Sequence, residues 1–244
     1  MGTNVSQIEA VLSPALYGRR VLRQRHTTVA VDVLRATTAI CAAFMAGAEA
    51  IVPLDTLDGL EAYGRQGYLR AAERGGQKVD GAECGNSPTE YLSMDLRDRR
   101  LAYSTTNGTV SILRGGDADR TLVGCFSNIG ALAALLAAAP QDLVILCSGW
   151  QEAPCVEDTL FAGALVQRLV DSGRYATTDD SALMALELWR RCDNDPHTYA
   201  LRHASHLQRL LKFGATAAAD TAFAFREDTC PVVPEFRDGV LTVR

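Results

Sequence analysis

The first segment whose residue types could bind a ligand or catalyse a reaction is residues 32–38 (DVLRATT). It places an acid, an arginine and two threonines directly after an apolar run. The β-branched run over residues 28–33 predicts a buried strand, and a helix is predicted to follow it. A carboxylate at the end of such a strand can hold a metal ion, so Asp32 is a candidate ligand. Arg35 can grip a phosphate or sulfonate with two parallel hydrogen bonds. The helix start adds free N–H groups and two hydroxyls, those of Thr37 and Thr38.

Two further segments are rich in glycine, hydroxyl and amide groups. Residues 73–76 (ERGG) lead through a Gly-rich loop to residues 85–88 (GNSP), and residues 105–109 (TTNGT) follow a predicted strand. Glycine lets the backbone approach a ligand, and such turns can present several N–H groups to phosphate oxygens. Ordinary surface turns are the alternative for each segment. The predicted substrate-binding residues from these loops are Arg74, Asn86, Ser87, Thr105, Thr106, Asn107 and Gly108.

An adjacent acid pair, Glu157 and Asp158, begins a predicted helix over residues 156–171. Acids are stabilised by the dipole at any helix start, so this position alone does not require a cation. Mg²⁺, however, needs only one or two carboxylates besides substrate phosphate and water. We therefore predict a Mg²⁺ site formed by Asp32 with Glu157 or Asp158, and the sequence leaves open which of the two faces the ion.

The histidines offer a proton-transfer group. His203 and His206 are three residues apart in a predicted helix over residues 198–213, so they could share a face. A zinc pair is one interpretation, but no HExxH pattern accompanies them. His206 alone is interpreted as a proton donor or an orienting group. The predicted catalytic set consists of Asp32, Arg35, Glu73 and His206.

The elements that must position these residues alternate between strand and helix. This order predicts an α/β fold, with a mostly parallel or mixed sheet covered by helices on both faces in α/β/α layers. Residues 1–244 are predicted to form a single catalytic unit, and two lobes around one cleft stay open. Residues 232–244 predict an edge hairpin that turns at Asp238-Gly239. The predicted strands cover residues 28–33, 50–54, 68–72, 100–104, 121–125 and 142–147, and a polar helix is predicted over residues 55–67.

Composition narrows the class of partner. The 244 residues carry a formal net charge of -5, which argues against a protein that binds nucleic acid through a basic stripe. No apolar stretch approaches the roughly 20 residues that span a bilayer, and no export signal is visible. Seven scattered cysteines indicate reduced thiols in the cytoplasm. A small anionic, phosphorylated substrate is the expected partner, and a homo-oligomer is compatible with the sequence.

Taken together and in this order, these segments resemble the 2-phosphosulfolactate phosphatase family. The resemblance runs from about residue 28 to about residue 222 and includes DVLRATT, ERGG, GNSP, TTNGT, the FSN of residues 126–128 and the Glu157-Asp158 pair. It implies a Mg²⁺-dependent phosphatase that converts (2R)-phospho-3-sulfolactate to sulfolactate and phosphate, a step toward coenzyme M. The stretch over residues 147–151 (CSGWQ) departs from the family pattern. Another phosphorylated hydroxy acid as substrate, or a non-catalytic module that binds a phosphorylated metabolite, are the alternatives.

Overall fold

A mixed sheet of eleven strands organises the computed structural model, which describes residues 5–22 and 24–243. The strands are β1 (Ser6–Val11), β2 (His26–Val31), β3 (Ala50–Pro53), β4 (Leu69–Arg74), β5 (Gln77–Lys78), β6 (Arg100–Ser104), β7 (Arg120–Gly124), β8 (Asp142–Cys147), β9 (Tyr175–Ala176), β10 (Glu235–Arg237) and β11 (Val240–Thr242). Their order across the sheet is β5-β4-β6-β3-β11-β10-β7-β2-β8-β1-β9. The predicted α/β fold is confirmed.

Helices fill most of the connections between the strands. They are α1 (Ala36–Met45), α2 (Leu60–Arg65), α3 (Pro88–Leu92), α4 (Gly108–Arg114), α5 (Ile129–Ala138), α6 (Val156–Asp171), α7 (Asp180–Arg191), α8 (Pro196–His203), α9 (Ser205–Leu210) and α10 (Ala215–Ala224). Short 3-10 turns cover Pro14–Arg19, Gly115–Asp117, Phe126–Asn128 and Leu211–Phe213. Within the described ranges, none of the helices is both long and apolar enough to cross a membrane.

Strand β2 shows why the site forms where it does. All six of its residues are buried, and it pairs in parallel with β7 on one side and β8 on the other. Alternate side chains enter different layers: Val29 and Val31 pack with α6, whereas Ala30 packs with α1. A strand covered on both faces reads as a continuous apolar run, which is why its position was predictable. Asp32 follows β2 directly and thus lies at the carboxyl edge of these parallel strands.

The C-terminal hairpin was predicted correctly, but its predicted position at the edge of the sheet was wrong. β10 pairs antiparallel with β7 and β11 pairs antiparallel with β3, so the hairpin lies inside the sheet between two groups of parallel strands. Leu241 is fully buried there. Both neighbours offer unpaired backbone groups that the hairpin satisfies, and this pairing is invisible in local sequence. Arg244, the last residue of the predicted segment, lies outside the described residues.

The prediction of one continuous helix over residues 198–213 was also wrong. The segment is divided into α8, α9 and a 3-10 turn, because Ala204 adopts an extended conformation with φ -90° and ψ 106°. His203 and His206 consequently belong to different helices, and the exposed His203 stacks on Tyr199 with ring centroids 4.4 Å apart. The helix predicted over residues 55–67 is shorter and covers only α2. β1, β5, β9, α3 and α10 were not predicted.

Candidate active site

A pocket of about 140 Å³ gathers residues from loops that are far apart in the chain. Seven of the predicted site residues line it, namely Asp32, Arg35, Glu73, Asn86, Thr106, Asn107 and His206. They come from the β2–α1 connection, the end of β4, the loop before α3, the β6–α4 connection and α9. The remaining predicted residues lie behind this lining, where their hydrogen bonds hold the loops in place.

Asp32 is fixed by the turn that leads into α1. Its Oδ1 accepts a hydrogen bond from the Ala36 N–H at 3.2 Å, and its backbone oxygen accepts one from the Thr37 N–H at 3.0 Å. The Thr37 hydroxyl donates to the same oxygen at 2.8 Å, and the Thr38 hydroxyl donates to the Val33 oxygen at 2.9 Å. These two threonines, both predicted to bind substrate, therefore stabilise the turn, and the first amides of α1 are already occupied.

Gly108 permits the close approach of the TTNG loop to Asp32. A Cβ atom at this position would lie 2.3 Å from the Cβ of Ala36 and 2.7 Å from Oδ2 of Asp32. No side chain fits in that space, so only glycine allows α4 to begin against the carboxylate. Its contribution to the site is therefore the position of the loop. Thr105, also predicted to bind substrate, is buried and exchanges hydrogen bonds with Thr109.

A second buried carboxylate, Asp158, lies next to the Asp32 turn. It accepts hydrogen bonds from the Val33 N–H at 2.8 Å and from the Gly149 N–H at 3.0 Å. Burial raises the pKa of Asp32 to about 8, and the charge of Asp158 adds to the rise. Burial also raises the pKa of Asp158 to about 7, with Glu157 as the second cause. Two acids that resist ionisation side by side form an environment in which a cation is favourable.

We expect these raised pKa values to make the metal-free protein less stable as pH rises. Above about pH 4 the unfolded chain ionises both acids, whereas the folded chain keeps their protons until about pH 7 for Asp158 and about pH 8 for Asp32. The folded state then binds more protons, so its stability falls by about 1.4 kcal/mol per pH unit and titrating group. Urea unfolding in EDTA from pH 4 to pH 9 measures this slope.

The matched comparison is Asp32→Asn, which removes one of the two titrating groups. The difference in unfolding free energy between Asp32→Asn and the unchanged protein should grow in favour of the variant up to about pH 8 and then level off. Titrating groups that do not interact with Asp32, such as His26, cancel in this difference, whereas Asp158 contributes to it because its charge is one cause of the raised pKa of Asp32. A difference that does not vary with pH would mean that Asp32 ionises normally.

Glu157 and His206 form a buried pair. The Nδ1 atom of His206 lies 2.7 Å from Oε1 of Glu157, and Glu157 is only 1% exposed. Within the described part of the chain, Oε2 of Glu157 is buried and has no hydrogen-bond partner. A carboxylate in this position fixes the ring and favours the proton on Nδ1, which leaves Nε2 for proton transfer. The two acids at the start of α6 thus have different surroundings, a distinction the sequence left open.

Arg35 is held by Asp220, a fully buried acid. Its Nη1 donates to Asp220 Oδ2 at 2.9 Å and its Nη2 donates to the Gly76 oxygen at 2.7 Å. The other oxygen of Asp220 accepts hydrogen bonds from Ser87 at 2.7 Å and Thr89 at 2.6 Å. A guanidinium has five N–H donors, so Arg35 keeps donors for a ligand in the pocket. Ser87 connects α3 to this pair and does not line the pocket.

Glu73 organises the opposite loop segments. It accepts hydrogen bonds from the Gly76 N–H at 2.5 Å and from the Thr106 hydroxyl at 3.2 Å, which joins the ERGG and TTNG loops. Arg74 points away from the lining and donates to the Ser104 hydroxyl at 2.9 Å. Asn86 accepts a hydrogen bond from the buried Tyr103 hydroxyl through its side-chain oxygen.

Eight lining residues were not among the predicted site residues. Leu34, Gly75 and Gly76 belong to the DVLRATT and ERGG segments, whereas the other five lie outside every segment predicted to bind a ligand: Trp150, Gln151, Arg209, Leu210 and Phe213. Arg209 lies three residues after His206, and this helical spacing was an available signal that both could face one side. Trp150 belongs to the CSGWQ stretch, whose departure from the family pattern was noted without a role. Phe213 gave no signal, because its position depends on the break at Ala204.

The residues present fit a Mg²⁺ ion held by few protein ligands. Across residues 5–22 and 24–243, no group of three or more His, Cys, Asp or Glu side chains is arranged to hold a metal ion. The three predicted carboxylates therefore do not form a ready three-ligand site. The pair Asp32 and Asp158, with its raised pKa values, and the unpartnered oxygen of Glu157 do meet the demand of Mg²⁺ for one or two carboxylates.

A pocket that combines buried carboxylates with a guanidinium suits an anionic ligand together with a cation. The chain is thus an α/β protein with a pocket suited to an anion at the carboxyl edge of its parallel strands. The model of the 2-phosphosulpholactate phosphatase family matches residues 13–239. The chain belongs to that family, and so to the phosphoric monoester hydrolases.

Individual relatives agree with this assignment. A protein of Synechococcus sp. (strain JA-3-3Ab) is 39% identical over 221 residues, which cover 88% of this chain and 90% of the relative. A protein of Symbiobacterium thermophilum is 36% identical over 219 residues, which cover 86% of this chain and 91% of the relative. A protein of Prochlorococcus marinus (strain MIT 9313) is 39% identical over 221 residues, with coverage of 87% and 90%. Each bears the name probable 2-phosphosulfolactate phosphatase.

Proposed function

We propose that this chain is a Mg²⁺-dependent phosphatase that hydrolyses (2R)-phospho-3-sulfolactate to sulfolactate and phosphate. The observation that carries the proposal is the buried pair of Asp32 and Asp158 beside a pocket that also contains Arg35. Membership of the 2-phosphosulpholactate phosphatase family and the names of the relatives support the choice of substrate.

Asp32 and Asp158 would hold the Mg²⁺ ion. When bound, the ion neutralises phosphate charge and polarises the reacting phosphoryl group. In its absence burial raises the pKa values of both acids, with the charge of Asp158 adding to the rise for Asp32 and the charge of Glu157 adding to the rise for Asp158, so the ion and the protons compete for the same oxygens.

Arg35 binds the phosphate oxygens with the N–H groups that Asp220 and Gly76 do not occupy. The buried ion pair keeps the guanidinium in one orientation, so the donors are in place before the substrate arrives. Asn86 and Asn107 in the same lining supply neutral donors for the remaining oxygens of the substrate.

His206 moves the proton. Its Nδ1 is held by Glu157, so Nε2 donates a proton to the sulfolactate oxygen as the bond to phosphorus breaks. The water that attacks phosphorus gives up a proton in the same turnover, which restores the protonated histidine. Glu157 stabilises the imidazolium form with which each turnover begins and ends.

A substrate panel tests the proposal through kcat/KM for phosphate release with Mg²⁺ present. The kcat/KM for phosphosulfolactate should exceed the values for phospholactate, phosphoglycerate and p-nitrophenyl phosphate. A higher value for another phosphorylated hydroxy acid would reassign the substrate within the same class. Ligand-induced thermal stabilisation without any phosphate release would instead favour a module that only binds the metabolite.

The coenzyme M connection and the cytoplasmic location stay predictions. All seven cysteines are free thiols in the structure, which is compatible with a reducing compartment.

A further inference from the structure

Two arginines line the pocket, and Arg209 is the one whose guanidinium has no acidic partner within the described part of the chain. Arg35 is neutralised by Asp220, and His206 is paired with Glu157. Among the described residues, by contrast, no carboxylate forms an ion pair or hydrogen bond with Arg209, although it lines the same pocket. Its positive charge is therefore available to an anionic group of a bound ligand.

Trp150 holds this guanidinium in place. The Cζ atom of Arg209 lies 3.3 Å from the centroid of the Trp150 ring, which is a stacked cation–π contact. A stacked guanidinium presents its N–H groups at its edge, where a planar or tetrahedral anion can accept two of them. Stacking thus fixes the direction of the donors, and no acceptor within residues 5–22 and 24–243 occupies them.

The turn that carries Trp150 is built for this position. Trp150 and Ala153 exchange two backbone hydrogen bonds of 2.8 and 3.0 Å across a tight turn. Gly149 has a φ of +60°, and a Cβ atom there would lie 2.2 Å from the Ala153 oxygen. The CSGWQ stretch over residues 147–151, which departs from the family pattern, is therefore the stretch that positions the tryptophan.

Arg209 is close to the group that protonates the leaving oxygen. His206 and Arg209 are one turn apart on α9, a spacing that puts their Cβ atoms about 5–6 Å from each other. In the proposed substrate, the sulfonate lies on the carbon next to the one that bears the ester oxygen. A side chain one turn from the proton donor is thus in place to bind the sulfonate.

We propose that Arg209, positioned by Trp150, binds the sulfonate group and sets the preference for sulfonated phosphate esters. This inference rests on the proposed function. Arg209 contacts substrate, whereas Trp150 is a positioning residue that acts through Arg209. A sulfonate is a permanent anion that coordinates metal ions weakly, so the guanidinium is its natural partner, and the phosphate is left to Arg35 and the acid pair.

The test compares three esters: phosphosulfolactate, phospholactate, which lacks the sulfonate, and the phosphate ester of 2-hydroxyethanesulfonate, which lacks the carboxylate. Arg209→Gln should raise KM for both sulfonated esters about 10- to 100-fold, with little change in kcat, and should leave phospholactate unaffected. Arg209→Lys keeps the charge but not the stack, so its KM should lie in between. The matched control is Arg202→Gln, which changes an exposed arginine and should leave KM and kcat unchanged for all three esters.

Two further measurements distinguish direct sulfonate binding by Arg209 from a purely structural role of Arg209 and Trp150. Calorimetry should detect sulfolactate binding more strongly than lactate binding, and Arg209→Gln should abolish that difference. Trp150→Leu should raise KM for the sulfonated esters, and Trp150→Phe should restore part of the loss because it keeps an aromatic face.

Several outcomes would overturn the inference while the proposed function stands. One is an equal rise in KM for phospholactate, another is no rise for any ester, and a third is a rise confined to the two esters that carry a carboxylate. An unchanged protein that hydrolyses none of the three esters would remove the proposed function, and this inference with it.

Discussion

Replacing Asp32 by asparagine should lower kcat/KM for phosphate release by about 10³-fold while the fold stays intact. Asparagine keeps the volume of the side chain and an oxygen that can accept the Ala36 N–H, so the turn into α1 survives. It removes the carboxylate that the proposed mechanism assigns to the cation and leaves Asp158 as the remaining acid of the pair. Mg²⁺ binding measured by calorimetry should weaken in the same variant.

The matched control for this loss is Asp58→Asn, which changes an exposed aspartate outside the pocket. Its activity and Mg²⁺ affinity should equal those of the unchanged protein. Full activity in Asp32→Asn would remove Asp32 from the metal site. Loss of activity together with loss of the cooperative thermal unfolding transition would point to a role in folding, contrary to our expectation that the turn into α1 survives the change.

Changing His206 to glutamine should lower kcat by about 10²-fold or more with a small effect on KM, because a proton-transfer group acts mainly in the transition state. Glu157→Gln should also lower kcat, since the amide no longer stabilises the charged ring. The double variant should be little worse than His206→Gln alone, because the two residues act as one unit.

His203→Gln provides the control for the histidine change. His203 is exposed and stacks on Tyr199, outside the pocket lining, so its replacement should leave kcat unchanged. Additive losses for His206→Gln and Glu157→Gln would contradict a coupled pair. An equal loss in kcat for His203→Gln would indicate that the α8–α9 region matters only for structure.

The sequence predicted the parallel part of the sheet well, for a physical reason. β6, β8 and α6 have the predicted bounds, because strands buried on both faces are continuous apolar runs and a long helix carries clear periodicity. The sequence did not predict that the β10–β11 hairpin lies inside the sheet, and it did not predict the helix break at Ala204. Both depend on partners distant in the chain, and local composition contains no trace of those partners.

The candidate site was predictable in location more than in detail. Strand ends brought Asp32, Glu73 and Thr106 to one pocket, as expected for ligand loops at the carboxyl edge of a parallel sheet. Residue type could not separate lining groups from supporting ones. Thr38 and Ser87 have the same hydroxyl that binds phosphate elsewhere, yet here they satisfy backbone and Asp220. Only the folded geometry distinguishes these two uses.

The most direct test of the central claim is phosphate release from racemic phosphosulfolactate by one preparation in Mg²⁺, after EDTA treatment, and after Mg²⁺ is restored. We predict steady release with Mg²⁺, loss of release in EDTA and recovery on re-addition, since in the proposed mechanism Asp32 and Asp158 hold the cation that acts on phosphate. Release that continues unchanged in EDTA, or no release with Mg²⁺ present, would contradict this account.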